Sequence, residues 1–428
     1  MAGEWLQTTL GSLTEWTSGG TPDKEEPSYW NGDIPWISAV SMKTTRLEES
    51  ELKITSSGLT NGSRLADLHS VLLLVRGSEL HKRIPIGIAM RPLAFNQDIK
   101  ALKARESLLP EFLLYWLLAN EKMLLTKVEY TGIGAGKLDT NVIKNLPILL
   151  PGRPTQRAIA YIFGTLDDKI ELNRRMNETL EMMAQALFKS WFVDFDPVRA
   201  KADGRDPGLP KHIADMFPDS FEDTELGEIP KGWEVVAMDE IAHFLNGLAL
   251  QKYPPQDGPS LPVIKIAQLR SGSTERADLA SADLEPDYIV EDGDVLFSWS
   301  GSLECVLWAG GRGALNQHLF KVTSDKYPKW LCYLGVHQHL ADFRHIAAGK
   351  ATTMGHIQRH HLSDAKLVIP PRPLLQAMEA VIAPVIESIW RRQVQSRTLA
   401  ALRDTLLPKL ISGELRVKDA EHFMAEAI

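Results

Sequence analysis

The sequence predicts a mixed α/β (α+β) protein built as an internal tandem repeat, with two similar globular heads separated by two long antiparallel coiled-coil helices. Three observations predict this. In 156–198, Ile159, Ile162, Leu166, Ile170, Met176, Leu180, Met183 and Leu187 recur at the three-four spacing of a narrow coiled-coil seam, interrupted by polar Asn173. In 376–415, Ile382, Ile386, Ile389, Leu399, Leu402 and Leu406 form a similar stripe around polar Gln393. Ahead of each stretch the chain also repeats itself: Trp5, Leu10, Leu13, Trp16 and Gly19 answer Trp233, Met238, Ile241, Phe244 and Gly247. A repeat of this length is a duplicated domain, not a solenoid of short units.

The chain has 428 residues, too many for one hydrophobic core, and its 44% hydrophobic and 24% charged content is that of a globular protein. Domains are expected at 1–150 (first head), 151–199 (central long helix), 200–230 (acidic linker), 231–370 (second head), 371–415 (distal long helix) and 416–428 (tail). No apolar run reaches membrane-spanning length and no signal segment opens the chain, so a cytoplasmic protein is expected. Cys305 and Cys332 are isolated and fit buried thiols in a reducing compartment.

Within the first head, 71–75 is apolar and bounded by glycine, as a buried strand is, and 295–299 is its counterpart. Helices are expected over 109–119 and 330–340, starting near Pro110 and Pro328. The segments 146–150 and 366–369 read as last strands, each closed by proline before a long helix. Further pairs hold the two halves together: 34–37 with 261–264, Arg76-Gly77-Ser78 with Ser300-Gly301-Ser302, Asn96-Gln97 with Asn316-Gln317, and Gly136-Lys137 with Gly349-Lys350. A helix over 157–190 is about 50 Å long and needs a partner along its length. Laying Gln156 on Gln376 places Gly164 on Pro384 and Asn173 on Gln393, so both helices are expected to kink or restart at a shared breaker.

The net charge of −8 argues against a nucleic-acid partner at face value. The acids are concentrated in 200–230, however, and a local basic cleft is permitted elsewhere. That stretch reads as a solvated linker.

Gly132-Ile-Gly-Ala-Gly136-Lys137 fails as a phosphate loop, because Thr131 stands where glycine is needed and Leu138 where Ser or Thr is needed. It reads as a flexible turn whose Lys137, with Lys350 in the second half, suits a DNA phosphate. His337/His339 and His360/His361 lack a third ligand, and no metal is expected. No catalytic constellation is present: there is no nucleophile elbow, no Asp/Asn-Pro-Pro-aromatic tetrapeptide and no cofactor loop. Asn96-Gln97 and Asn316-Gln317 have the side chains that pair with adenine, and equally the amides that close turns, the latter being favoured.

Leu187-Phe-Lys-Ser-Trp-Phe-Val-Asp-Phe-Asp-Pro-Val198, Leu407-Pro-Lys-Leu-Ile-Ser-Gly-Glu-Leu415, Gly227-Glu-Ile-Pro-Lys-Gly-Trp233 and Gly32-Asp-Ile-Pro-Trp-Ile37 resemble the signature segments of type I restriction-modification specificity (S) subunits, over nearly the whole chain and in the family's order. The resemblance implies two target-recognition domains, each reading half of a bipartite, asymmetric site in double-stranded DNA, held apart by two antiparallel helices. It implies that Ile162, Leu166, Ile170, Asn173, Leu180, Leu187, Ile382, Ile386, Ile389, Gln393, Leu402 and Leu406 serve helix pairing and partner docking. The partners implied are two methyltransferase (M) subunits carrying S-adenosylmethionine and restriction (R) subunits using ATP and Mg. This chain is then non-catalytic and binds no cofactor or metal itself. Base readers do not transfer by motif. Residue type and loop position nominate Lys43, Arg46, Arg76, Lys82, Arg83 and Lys137 in the first head, and Lys265, Arg270, Arg312, His318 and Lys350 in the second, beside the two Asn-Gln pairs. A stand-alone DNA-modifying enzyme and a non-DNA coiled-coil scaffold stay open as alternatives.

Overall fold

The computed structural model describes residues 5–130, 134–255, 257–349 and 355–420. The chain forms two compact units, Met1–Lys169 with Leu399–Ile428, and Ile170–Thr398.

In the first unit, Leu6–Thr9 pairs antiparallel with Pro147–Leu150 and so closes the head. Between them lie two larger sheets and a small three-stranded one. One has the order Thr14–Ser18, Ile99–Ala104, Val71–Leu74, Ile86–Ala89, Arg46–Leu47, with Val71–Leu74 buried on both faces. The other places Trp30–Ile37 parallel to Leu93–Phe95, flanked by Lys53–Ile54 and Leu65–Ala66. The helix Pro110–Ala119 starts on its proline, whose missing N–H is one the first turn leaves unbonded anyway.

The second unit repeats this plan, with four strands where the first unit's larger sheet has five. Glu234–Ala237 pairs with Lys366–Ile369; His243–Asn246, Leu319–Thr323, Val295–Ser298 and Cys305–Leu307 form one sheet. Ser260–Ile264 runs parallel to Gly313–Leu315 in the other. A shared glycine contact shows how closely the halves match. A Cβ on Gly19 would collide with the carbonyl oxygens of Phe95 and Asn96, and one on Gly247 with those of Leu315 and Asn316, so only glycine lets the strand approach there.

The long helices run over Arg153–Phe192 and Arg372–Ser412, unbroken through Gly164 and Pro384. The expected restart is absent because glycine keeps its N–H and a single proline removes one backbone bond of some forty. The register differs as well. Leu6 pairs with Leu150 and Glu234 with Ile369, and the helices start at Arg153 and Arg372, so Gln156 answers Leu375. Gly164 therefore answers Ala383, not Pro384.

Ile162, Leu166, Ile382, Ile386, Ile389 and Leu406 are buried as expected, whereas Ile170, Leu180, Leu187 and Leu402 are half-buried. Met183 is 49% exposed; its neighbours on the strict 3.5-residue repeat, Asn177 and Ala184, are the buried ones. Two asparagines thus occupy the seam. In the second unit Asn173 Nδ2 donates to Gln395 Oε1 (2.9 Å) and Ser396 Oγ (3.2 Å), and Asn177 Nδ2 to the Ile389 carbonyl (3.1 Å), so the two helix segments run antiparallel. By the same offset Asn173 answers Arg392 and not Gln393, and its hydrogen-bond partners on the facing helix are Gln395 and Ser396.

The acidic stretch is not a solvated linker. It forms Asp196–Ala202, Lys211–Ala214 and a hairpin of Phe221–Thr224 with Gly227–Pro230. Ile213, Phe217 and Ile229 join Trp191, Phe192, Phe195 and Trp233 in the core of the second unit. Lys201 Nζ donates to the carbonyls of Ala214 (3.0 Å) and Phe217. Apolar residues spaced among the acids decide the outcome, because their burial outweighs the exposed charges.

Candidate nucleic-acid interface

The buried strand Val71–Leu74 continues into Arg76–Gly77, which pairs antiparallel with Gly136–Leu138. Lys137 is therefore on a strand, not in a flexible turn, and stands directly opposite Arg76. Like charges across a strand pair are destabilising. Two further cations crowd this place. Lys100 Nζ donates to Ser18 Oγ (2.6 Å), and its pKa is held below the ordinary lysine value, chiefly by burial, with repulsion from Lys144 and Arg76 adding to it and Asp98 opposing it. Lys144 lies over the Trp16 ring, 5.5 Å from its centroid. Arg76, Gln97, Lys100 and Lys137 line one surface cleft, together with Asp98 and Asp139. Asp139 is engaged as a helix cap, accepting from the Asn141 N–H at 2.8 Å. Lys100 and Lys144 were not among the sequence candidates: one lies inside a strand and one in a short helix, and only the fold gathers them.

The other candidates of the first head are differently placed. Arg46 pairs with Asp168 of the long helix at 2.7 Å, and Lys43 lies 3.9 Å from Glu51. Arg83 is held by Glu79 (3.5 Å) and donates to the Met42 carbonyl (3.1 Å), while Lys82 is exposed. Among the described residues no carboxylate pairs with Arg76, Lys100, Lys137 or Lys144. Glu129 stands cross-strand from Lys137 on its other side, and Asp98 and Asp139 line the cleft, so the cations are offset in part but none is held in a salt bridge, which leaves them able to receive an anion.

Asn96 and Asn316 do not present an edge to a base. Both are buried, and their Oδ1 atoms accept from the backbone N–H of Asp98 (3.1 Å) and His318 (3.3 Å), closing the same turn in each head. Gln97 is exposed and accepts from Thr21 Oγ1 (2.5 Å). Gln317 is half-buried, with Nε2 3.4 Å from His318 Nε2.

In the second head Lys265 is paired with Asp278 and Arg312 with Glu291 (3.2 Å), while Arg270 is exposed on the short helix Ile266–Ser271. Lys350 lies outside the described residues. The position opposite Ser300 is His356, as Lys137 is opposite Arg76. Matching hydrogen bonds fix this equivalence: Leu138 N donates to the Val75 carbonyl (2.8 Å) and Ile357 N to the Trp299 carbonyl (3.0 Å). Lys137 therefore answers His356, not Lys350.

His337 and His339 lie on the helix Lys329–Ala348 and bond the carbonyls of Cys305 (3.0 Å) and Lys366 (3.1 Å). Among the described residues no group of three or more His, Cys, Asp or Glu side chains could hold a metal. Burial is the main cause that pulls both imidazoles below the ordinary value of 6.5. Just below that value the unfolded chain then binds more protons than the folded one, so stability falls as the pH drops through about 6.5. Melting curves from pH 7 to 5 should show this loss, and the pair His337→Gln and His339→Gln should flatten it.

Among the described residues no helix is long and apolar enough to cross a membrane. The family model for the type I restriction modification DNA specificity domain matches residues 3–182 and again 230–383. The type I restriction enzyme MjaIX specificity subunit of Methanocaldococcus jannaschii is 27% identical over 432 residues, covering 97% of this chain and 94% of that one. The HindI specificity subunit of Haemophilus influenzae is 26% identical over 362 residues, covering 72% and 78%. The crystal structure of a type I restriction-modification S subunit from M. genitalium has the same fold, with a TM-score of 0.55 at 12% identity over 95% of this chain and 96% of that one. With the family model matched once on each head, and each match running on into a long helix, the chain belongs to the type I restriction-modification DNA specificity family.

Proposed function

We propose that this chain is the DNA-recognition subunit of a type I restriction-modification complex, each head reading one half of a bipartite, asymmetric site in double-stranded DNA. The observation that carries this reading is that one family model matches both heads. Arg76 and Lys137, opposite each other across a strand pair and in no salt bridge, support it, because a phosphate relieves their repulsion. The stand-alone enzyme and the non-DNA scaffold have no support from the family match.

On this reading the chain performs no chemistry. Methyltransferase subunits bearing S-adenosylmethionine dock on the paired helices, and restriction subunits using ATP and Mg join them. A bandshift with purified methyltransferase subunits tests the reading, and loss of sequence-selective binding at moderate salt would sink it. The paired helices set the distance between the half-sites. One heptad inserted at matched points of both helices adds about 10 Å. That length corresponds to about three base pairs of duplex. Mapping of methylated adenines should show a correspondingly longer unspecified gap with both half-sites kept, and an unchanged gap would refute the ruler.

A further inference from the structure

The cleft of the first head and its counterpart in the second occupy the same place in the repeat but differ in chemistry. Hydrogen bonds that recur in both heads set the equivalence. Val75 and Trp299 accept from Leu138 and Ile357, and the turns at Asn96 and Asn316 close on Asp98 and His318. From there Arg76 answers Ser300, Lys137 answers His356, Lys100 answers Phe320, and Lys144 answers Ser363. Three lysines and an arginine are thus replaced by two serines, a histidine and a phenylalanine, and Asp98 by His318, while Thr140 is answered by the exposed Arg359.

The second cleft is ordered by neutral contacts. Trp299 Nε1 donates to Asn246 Oδ1 (2.9 Å) and the Gln317 carbonyl (3.2 Å). The Trp299 ring packs against His318 at 5.7 Å and edge-on to His356 at 6.3 Å, and Ser300 Oγ bonds His318 Nδ1 at 3.1 Å. Of the neighbouring cations, Arg344 is compensated by Glu304 at 3.0 Å and donates to the Leu303 carbonyl, whereas Arg359, which answers the cleft-lining Thr140, is exposed.

We infer that the two heads hold DNA by different balances of force: the first-head cleft neutralises backbone phosphates through Arg76 and Lys137, and the equivalent positions of the second head make hydrogen-bond and ring contacts that release fewer counterions. This rests on the DNA-recognition reading above and adds a division of labour that the family match does not contain. It follows from counterion release, since each phosphate neutralised by a lysine or arginine contributes about 0.9 to the slope of log affinity against log salt, and a neutral contact contributes nothing.

The test is a salt titration of the full-length chain on a mixed-sequence DNA duplex at pH 8. The pair Arg76→Gln and Lys137→Gln should lower the slope by about 2, and Lys137→Gln alone, an exposed change, by about 1. The pair His318→Gln and His356→Gln should weaken binding severalfold with the slope unchanged. Circular dichroism melts confirm that each variant is folded. Equal slope losses in the two double variants, or a loss confined to the histidine pair, would overturn the division of labour while DNA binding stands. If the unaltered chain showed no salt-dependent binding to the duplex, the DNA-recognition reading would fall with it.

Discussion

Asp167→Ala is expected to destabilise the first unit by about 3–5 kcal/mol, the usual cost of breaking one side of a buried ion pair. Asp167 is 7% exposed on the long helix, where Oδ1 accepts from Arg403 Nη1 at 2.8 Å and Oδ2 from the Tyr115 hydroxyl at 3.0 Å. It joins three elements of that unit: the head's helix Pro110–Ala119, the start of the central helix and the end of the distal one. Burial, with the neighbouring carboxylate adding to it, drives the Tyr115 pKa well above the ordinary phenol value, so the hydroxyl stays a donor. Truncation leaves the mostly buried guanidinium with only the exposed Asp404 (2.9 Å) as a partner and leaves the hydroxyl unsatisfied, and both penalties fall on the folded state. Chemical denaturation reads the loss directly. Replacing Asp167 and Arg403 together by leucine and methionine should recover most of it, because the cost is that of a lone buried charge and not of the pair's absence.

Trp233→Ala should cost a similar 3–5 kcal/mol in the second unit through the cavity it opens. Its indole lies 6.1 Å from Phe192, 5.9 Å from Phe195 and 6.3 Å from Phe217, ring centre to ring centre. It therefore ties the end of the central helix and the acidic stretch to the first strand of the second head. Trp233→Phe should cost much less than the alanine change, since Nε1 is buried without a hydrogen-bond partner and its removal relieves that penalty. A calorimetric scan showing equal losses for the two variants would contradict this account.

Local chemistry made much of the fold legible. The strand at 71–75, the helix starting on Pro110 and the strand at 366–369 are set by glycine, proline and apolar runs within a few residues of each element, and they occur where those signals place them. The errors arose where two neighbouring residues could each satisfy a pattern. Met183 and Ala184 both continue an apolar stripe, and only the facing helix selects Ala184. In the acidic stretch, charge density hid Ile213, Phe217 and Ile229, whose burial depends on aromatic partners contributed from elsewhere in the second unit.

The candidate interface was legible only in part. Arg46 and Arg83 were sound by residue type, but their neutralising partners, Asp168 and Glu79, become visible only once the chain is folded. Lys100 and Lys144 carry no motif: Ile99–Ala104 brings Lys100 into the cleft with Arg76, and Thr140–Lys144 brings Lys144 close enough to act on Lys100.

The sequence by itself determined the duplication, the two long helices, the absence of a catalytic motif and the family, because each is written in spacing or in residues adjacent along the chain. The tertiary structure alone decided that Asn177 joins Asn173 in the seam, which cations are held in salt bridges, and that Lys137 answers His356. Those depend on cross-strand register and on charges brought together from distant positions, and both are properties of packing and not of local sequence.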